Sequence, residues 1–502
     1  MDNEKQITKG RSLLAFLWLT MIFILISTGE LYSQEKNIKS EYEKEFEQFK
    51  KSIQEDFVAF KTHNDSIFST FLKKVWKEYD LSTDQRKVEP KPIVQPVIRG
   101  VQTESKEIIP KRRKTMMEDT ARQLQLNGSP KIYHSSGNVS GDREMREVNF
   151  YGTPVEIPVV QEQLPTLTEV SSAGISAYFD EAMKNKDMYN VIKGVYTESL
   201  SCELNGWGLM ELLQAASEGI YDSVNDRVLF TWFGLLKCKK NAKVGYDTST
   251  NTIYLLAAFD VPVYYRPYFQ SGEERYYLIK FEGQDKISER IYSYDQEHPG
   301  AKELLSLNFR GLPKLEPKAV SKIYTFNNDT VEIAYDSNMV NYYKNYPDCD
   351  ISVYFQPPLT EEAYNSLDKI IKPHIQGKDL SEKVNFLLEF VQKAILYETD
   401  DQQFGRENYL FAEELLSSEA ADCEDRSIFL AQLIDHYLTL RYIGLEYPGH
   451  FTLAVNVPGE QEGYYVKIYD DRYYVCDPTY IGAKLGMLMP QFKDKQPEVI
   501  EF

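Results

Sequence analysis

Residues 421–438 read ADCEDRSIFLAQLIDHYL and contain the pattern that decides the architecture of the C-terminal half. Cys423 lies where a turn gives way to a helix whose apolar residues recur every three or four positions. Asp422 precedes it and is a good N-cap, because its carboxylate can accept a hydrogen bond from a free amide of the first turn. A thiol at this place faces the positive end of the helix dipole, which favours the nucleophilic thiolate. The stretch therefore predicts an amphipathic helix that begins at a nucleophile.

Two later residues could complete a site with this cysteine. His450, in PGHFTLAVNV, opens an alternating strand, and Asp477, in RYYVCDPTY, follows the end of a second strand. Acyl transfer by cysteine needs a base and a group that holds the imidazole tautomer, and these three positions can supply them at one point. Each residue alone also fits a structural role, since a free cysteine is commonly buried and an aspartate before proline commonly sits in a turn.

Negative charge crowds the thiol in sequence. The flanking carboxyl residues are Asp422, Glu424 and Asp425. They oppose thiolate formation, so we expect Arg426 to offset part of this charge and an ion pair between Cys423 and His450 to offset the rest. Cys476 alternates with Asp477 along its strand and is expected to face the other way, into the core.

The chain from VNFLLEFVQKAILYETD through FAEELLSSEAADCEDRSIFLAQLI, followed by GH before a strand and by CDPTY, resembles the bacterial transglutaminase-like superfamily. The resemblance covers roughly residues 380–490, and Ala421 stands where the family usually has glycine. It implies a papain-like α+β fold with a Cys-His-Asp triad: Cys423 as nucleophile, His450 as general base and acid, and Asp477 as the orienting carboxylate. The oxyanion-hole side chain is not assigned, and Gln402 and Gln403 are candidates by residue type.

An earlier region looks like a diverged copy of this unit. Residues 225–236 read NDRVLFTWFGLL and residues 424–435 read EDRSIFLAQLID, while EERYYLIK (273–280) resembles DDRYYVCD (470–477). In this register Val224, Asn251 and Lys280 replace the three chemical groups, so the copy would be inactive. The alternative is a coincidence between two helix–strand units.

The N-terminus indicates export. Lys5, Lys9 and Arg11 precede an uncharged apolar run, residues 13–26, and small or polar residues follow it. This is the layout of a signal peptide, and an uncleaved membrane anchor is the alternative. The five cysteines form no C-x-x-C pair, so a zinc ribbon or thioredoxin-type motif is not expected. Their odd number leaves at least one unpaired, which fits either one free reactive thiol or five buried cysteines.

Length and composition predict several domains. The 502 residues are 42% hydrophobic, enough for substantial cores, and the net charge of -19 argues against non-specific nucleic-acid binding. We expect a signal peptide or anchor (1–33), an amphipathic helical segment (34–80), a Pro- and charge-rich linker (81–145), a central α+β domain (146–315) and a transglutaminase-like catalytic domain (316–502). The aromatic stripe over residues 42–79 either packs on the main body or binds a partner helix.

Periodicity gives the coarse secondary structure. Expected helices cover residues 175–196, 205–216, 226–236 and 360–371, with a further one opened by a capping box at Asp379 and Glu382. Expected strands cover residues 253–259, 261–268, 275–281, 323–335 and 351–355. The basic run 111–114 is expected to be solvated.

These observations favour an exported, periplasmic or envelope-associated enzyme that transfers acyl groups from amide bonds through a thioester on Cys423. Hydrolysis of peptide or isopeptide bonds is the first expectation, and cross-linking of Gln and Lys side chains is the second. No cofactor is expected. The rival is a non-catalytic binding or scaffold protein, and a zinc site of Cys423, His450 and Asp477 is a minor third alternative.

Overall fold

The computed structural model describes residues 63–86, 90–98, 105–115, 144–161, 163–284 and 286–502. The chain divides into two units, residues 1–66 and residues 67–502, and nearly all described residues belong to the second. Helices make up 34% and strands 26%, which confirms the predicted α+β class. Among the described helices, none is long and apolar enough to cross a membrane. The predicted signal peptide or anchor lies outside the described residues.

The first half of the described chain forms five helices and eleven strands. They are α1 (His63–Leu72), β1 (Lys77–Asp80), β2 (Ser82–Thr83), β3 (Lys106–Ile108), β4 (Arg112–Thr115), β5 (Met145–Phe150), β6 (Thr153–Pro158), α2 (Ser172–Ala182), α3 (Lys186–Ser201), α4 (Gly206–Glu218), α5 (Val224–Lys237), β7 (Ala242–Asp247), β8 (Thr252–Ala257), β9 (Pro267–Ser271), β10 (Glu274–Ile279) and β11 (Arg290–Ser293).

The second half carries the predicted site. Its elements are β12 (Ala319–Phe326), β13 (Asp329–Asp336), α6 (Ser337–Lys344), α7 (Ile351–Tyr354), α8 (Glu361–Ile375), α9 (Leu380–Ala394), α10 (Asp400–Gln403), α11 (Ala412–Ser417), α12 (Cys423–Leu438), β14 (Tyr442–Tyr447), β15 (His450–Val455), β16 (Tyr464–Ile468), β17 (Asp471–Cys476), a short 3-10 helix (Pro490–Phe492) and β18 (Glu498–Glu501).

The first large sheet has the strand order β1-β11-β7-β8-β10-β9-β2 and curls on itself. Its two edge strands, β1 and β2, are separated in sequence by Leu81 alone. A flat sheet of seven strands is roughly 29 Å wide at ~4.8 Å per strand, whereas a single residue bridges only ~7 Å. The edges must therefore approach each other. In agreement, the ring centroid of Tyr79 in β1 lies 4.1 Å from that of Phe269 in β9, the strand that pairs with β2.

The second large sheet repeats this arrangement. Its order is β4-β18-β14-β15-β17-β16-β3, with edge strands separated by residues 109–111. The five inner strands occur in the same order in both sheets, and they pair antiparallel with one another. Helix α5 packs on β8 as α12 packs on β15. This correspondence supports the internal repeat predicted from the sequence.

The segment expected to be a linker supplies edge strands to both sheets. β2 pairs antiparallel with β9, whereas β3 and β4 pair parallel with β16 and β18. The described parts of residues 81–115 are therefore built into the fold. The basic run 111–114 overlaps β4, although the side chains of Lys111 and Arg112 are exposed as expected. Residues 116–143 lie outside the described residues.

The helical segment predicted up to Tyr79 is shorter than expected. Helix α1 ends at Leu72, and residues 77–80 form β1 instead. Phe68 is fully buried, with its ring 5.4 Å from Phe179 and 6.3 Å from Trp232. The described part of this stripe thus packs on the main body, and residues 42–62 lie outside the described residues.

Several local predictions are wrong for identifiable reasons. The strand expected at 261–268 begins only at Pro267, since Pro262 and Pro267 cannot donate to a ladder. Residues 351–354 form one helical turn instead of a strand, because Asp350 caps it by accepting from the Ser352 amide at 3.1 Å. A short apolar run does not distinguish these two states by periodicity.

A cap and a turn explain two other differences, and a third lies at the end of α8. The helix expected over 175–196 is two helices, because Asn185 caps α3 by accepting from the Met188 amide at 2.8 Å. The stretch 323–335 is a hairpin that turns at Asn327 and Asn328, both with positive φ. Helix α8 runs beyond Pro373. The capping box of Asp379 and Glu382 is confirmed at the start of α9.

Candidate functional site

Helix α12 places Cys423 at its first position, and the predicted N-cap is confirmed. The Asp422 carboxylate accepts from the Glu424 amide at 3.1 Å, and Asp425 completes a capping box by accepting from the Asp422 amide. The helix is not amphipathic as predicted, because every residue from Cys423 to Ile434 is buried. The thiol itself has no solvent-exposed surface. The cysteine therefore lies at a capped helix start inside the protein.

His450 and Asp477 meet across two paired strands. β15 and β17 are antiparallel with Leu453 opposite Cys476, so the start of β15 adjoins the end of β17. His450 Nε2 lies 2.9 Å from Asp477 Oδ2, and both side chains are almost fully buried. The other oxygen of Asp477 accepts from the amides of Thr479 at 2.9 Å and Tyr480 at 3.3 Å. Asp477 is thus both a turn residue and the partner of the imidazole.

The imidazole of His450 also makes a ring contact that sequence reasoning did not find. Its ring stacks on Phe492, with 5.2 Å between centroids and 8° between planes. His450 Nδ1 is buried and has no hydrogen-bond partner among the described residues. Since Nε2 is committed to Asp477, Nδ1 is the nitrogen left to accept a proton.

The Cys423 thiol is hydrogen-bonded to Glu424 and not to the imidazole. Among the described residues, no hydrogen bond joins the thiol to His450, and Cys423 Sγ donates instead to Glu424 Oε2 at 2.9 Å. Burial, followed by the charges of Glu424 and Asp422, raises the pKa of the thiol well above its usual value. The flanking carboxyl residues therefore oppose ionisation of the thiol, as predicted. The predicted ion pair between Cys423 and His450 is absent between these described residues.

Lys91 forms the ion pairs with the acidic residues around Cys423. Arg426 forms no such ion pair with these described residues but is coupled to them by charge: burial lowers the pKa of its guanidinium, and the charges of Tyr397, Asp422 and Cys423 oppose that shift. Lys91 Nζ lies 2.6 Å from Asp422 Oδ2 and 2.9 Å from Glu424 Oε2, and it also pairs with Glu407. The Arg426 guanidinium donates instead to the carbonyls of Pro478 and Ile395. The guanidinium therefore donates to carbonyls on the segments after α9 and β17.

The carboxylates around Lys91 form a buried acidic cluster, which we define as Asp400, Glu407, Asp422 and Glu424. Burial, then the charge of Asp422, raises the pKa of Asp400 to about 9. Burial, then the charge of Glu424, raises the pKa of Asp422 to about 7. Burial disfavours the ammonium of Lys91, yet Glu424 and Asp422 outweigh it and raise its pKa well above the usual value. Lys91 is therefore the protonated cation of the cluster.

Sequence reasoning missed this cluster because its members are distant in sequence. A usable signal was present in Pro90-Lys91-Pro92, a lone cation that two prolines hold in extended conformation. The number of acidic residues around Cys423 also required a cation from elsewhere. Ligand atoms of Asp400, Glu407 and Asp422, and of Asp422, Cys423 and Glu424, lie within 4.8 Å of one another. The zinc set considered from the sequence, Cys423 with His450 and Asp477, is not among the groups found in the described residues.

Gln402 and Gln403 are engaged locally. Gln402 Oε1 accepts from the hydroxyl of Thr399 at 3.0 Å, and Gln403 Nε2 donates to the Glu398 carbonyl at 3.2 Å. Both residues belong to the short helix α10 or its cap. The amide of Gln403 is therefore already occupied, and neither side chain is assigned to an oxyanion hole.

All five cysteines are buried free thiols. This matches the second of the two alternatives drawn from the odd cysteine number. Cys476 has no exposed surface, as expected for a core residue, and burial raises the pKa of its thiol.

The first repeat lacks the chemical groups at the matching places. Val224 begins α5, Asn251 lies in the turn between β7 and β8, and Lys280 follows β10. Asn251 and Lys280 are exposed, whereas His450 and Asp477 are buried. The two repeats therefore share their strand order and differ in the chemistry of this region.

The likeness to the transglutaminase-like superfamily rests on the motifs around Cys423, His450 and Asp477. These motifs fall within residues 380–490, in the second repeat. No family model matches the chain, and no curated protein or solved structure matches it.

Proposed function

We propose that the protein is an exported cysteine-dependent acyl-transfer enzyme of the transglutaminase-like, papain-like type. Cys423 is the nucleophile, His450 the base and acid, and Asp477 the group that holds the imidazole. The reaction is hydrolysis of peptide or isopeptide bonds, with Gln–Lys cross-linking as the variant in which an amine replaces water. The central repeat acts as a scaffold without catalytic groups.

The buried pair of His450 and Asp477 is the observation that carries this proposal. A carboxylate bonded to Nε2 fixes the proton there and leaves Nδ1 as the basic nitrogen. That nitrogen is buried and unpartnered, which lowers the stability of the folded state, and a catalytic role would explain why it is kept. A structural histidine would instead be expected to use both nitrogens.

The proposed reaction has two steps. His450 Nδ1 takes the thiol proton as Cys423 Sγ attacks the amide carbonyl, and the amine leaves with that proton as the C–N bond breaks. Water then attacks the thioester carbon and gives a proton to His450. The C–S bond breaks, the carboxylic acid leaves, and His450 returns the proton to the Cys423 thiolate. The Cys423 amide at the start of α12 is a candidate to stabilise the oxyanion, because the amides of Glu424 and Asp425 already donate to Asp422. Because the thiol donates to Glu424 in the resting structure, it must turn toward His450 before the first step.

Degradation of a peptide mixture tests the proposal. The full-length protein is incubated with a peptide library, and products are identified by mass spectrometry for the wild type and for Cys423→Ala. We expect new cleavage products, or glutamine-to-lysine linkages, that the variant does not form. Equal products from both proteins would overturn the assignment of Cys423. Surface labelling of intact cells would test export, which requires the protein outside the cytoplasm.

A second candidate function has a specific observation in its favour. The raised pKa of Cys423 and the lack of a hydrogen bond to His450 within the described residues are what a binding or scaffold protein would show. In that case Cys423→Ala would leave all biological effects of the protein unchanged. The unpartnered Nδ1 of His450 favours the enzyme.

A further inference from the structure

A segment from the N-terminal region lies against the proposed nucleophile. We define the strap as residues 90–98. Its Lys91 side chain is only 8% exposed and enters the acidic cluster beside Cys423. Glu424 Oε2 accepts from both the Lys91 ammonium and the Cys423 thiol, each at 2.9 Å. The ammonium therefore lies no more than two hydrogen-bond lengths from the sulfur.

Polar contacts hold the strap. The Tyr397 hydroxyl donates to the Pro92 carbonyl at 2.6 Å. Farther along, the Ile98 amide donates to the Ile481 carbonyl at 2.9 Å, and the Ile481 amide donates to the Pro96 carbonyl at 2.8 Å. These bonds fix the strap at both ends, on the loop between α9 and α10 and on the loop after β17.

Apolar packing holds the strap only at its C-terminal end, where the partly buried Ile98 packs against the core of the second large sheet. Ile93 is 72% exposed and Val94 is 79% exposed, so neither side chain is buried against the body. Burial of apolar surface is the main source of stability in proteins, and a segment without it opens at low cost. The part of the strap that carries Lys91 is therefore attached chiefly through Lys91 and the hydrogen bond to Pro92, whereas its far end is also held by Ile98.

We propose that the strap is an autoinhibitory element whose Lys91 occupies the substrate side of the site and must leave before Cys423 can react. The inference rests on the proposed function, and it explains why the nucleophile has no exposed surface. Displacement of the strap removes the ammonium from Glu424. Glu424 and the thiol are then free to reorient, which the first step of the reaction requires.

Alkylation of Cys423 tests the strap in the full-length protein. Lys91→Met keeps the length of the side chain and removes its charge, and Lys106→Met, at an exposed lysine, is the matched control. The Lys91 ammonium lowers the pKa of the thiol, so loss of this charge alone would slow the reaction with iodoacetamide. An increase can therefore come only from access. We expect Lys91→Met to react at least about tenfold faster at Cys423, with the control unchanged.

The four other buried cysteines report any unfolding. Peptide mapping should find faster labelling at Cys423 and unchanged labelling at Cys202, Cys238, Cys349 and Cys476. A second variant, Tyr397→Phe, removes one strap bond without a change of charge and should accelerate labelling in the same direction. An unchanged or slower rate at Cys423 in both variants, or equal acceleration at all five cysteines, would overturn the proposal. Fast labelling without peptide cleavage in the opened variants would support the strap and contradict the enzymatic function.

Discussion

The substitution Asp477→Asn tests whether Asp477 holds His450 in the tautomer that can act as a base. The amide keeps the size of the carboxylate but replaces one oxygen by a donor. Its orientation is fixed, because the amides of Thr479 and Tyr480 both point at Oδ1 and require an oxygen there. The new Nδ2 donor therefore faces His450 Nε2.

The imidazole must respond by exchanging its tautomer. Nε2 has to accept from the new side-chain amide in the variant, so the proton moves to Nδ1, and Nδ1 can no longer take the thiol proton. General-base catalysis is worth about 10²–10⁴ in rate, and we expect a loss of this size in turnover. The buried hydrogen bond persists without its charge, so the folded state should lose only roughly 1 kcal/mol.

The assay compares turnover of a cleaved peptide with urea unfolding for Asp477→Asn and the wild type. Asp471→Asn is the control, since Asp471 lies at the exposed start of the same strand and pairs with Arg441 at 2.6 Å. A large loss of turnover with a small loss of stability supports the tautomer argument. Turnover within a few-fold of wild type in the folded variant would refute it.

Three further substitutions test the packing and electrostatics of the fold. Burial, followed by the charge of Asp422, raises the pKa of Asp400 to about 9, so this carboxyl group holds a proton in the folded state. The free energy of unfolding therefore falls as pH rises from about 4 toward 9. Asp400→Asn should flatten this fall by up to ~1.4 kcal/mol per pH unit in urea unfolding at pH 6 and 8, and an unchanged slope would contradict the assignment. Gly444→Ala would place a Cβ 2.6 Å from Cζ of the buried Phe451 ring, so we expect a loss of about 1–3 kcal/mol by the same method. Phe68→Ala should cost about 3–5 kcal/mol, because the ring is fully buried against Phe179, and a loss below about 1 kcal/mol would show that α1 does not dock there.

Local signals predicted much of the fold. The N-cap Asp422 and the capping box at Asp379 were readable because capping depends on residues within four positions. The internal repeat was predicted because the same Asp-Arg pair and tyrosine-rich strand recur, with a two-residue shift between them. The common strand order of the two sheets supports it, and the curling of the first sheet follows from the short connection through Leu81.

Long-range contacts were not readable. Strands β2, β3 and β4 lie at sheet edges in a region whose prolines and charges indicated a linker, because edge strands only two to four residues long carry almost no periodic signal. Lys91 lies more than 300 positions from the acidic residues that it joins. The pairing of His450 with Asp477 could be inferred from the ends of their strands, whereas the thiol contact with Glu424 required coordinates.

Trapping of the acyl-enzyme tests the central claim most directly. The wild type, Cys423→Ala, His450→Ala and the strap variant Tyr397→Phe are mixed with p-nitrophenyl acetate at neutral pH, and the acetylated residue is mapped by mass spectrometry. The account predicts a nitrophenol burst and a transient acetyl thioester on Cys423, stronger in Tyr397→Phe and lost in His450→Ala. Acetylation that spares Cys423 in every folded protein, or that proceeds equally without His450, would contradict it.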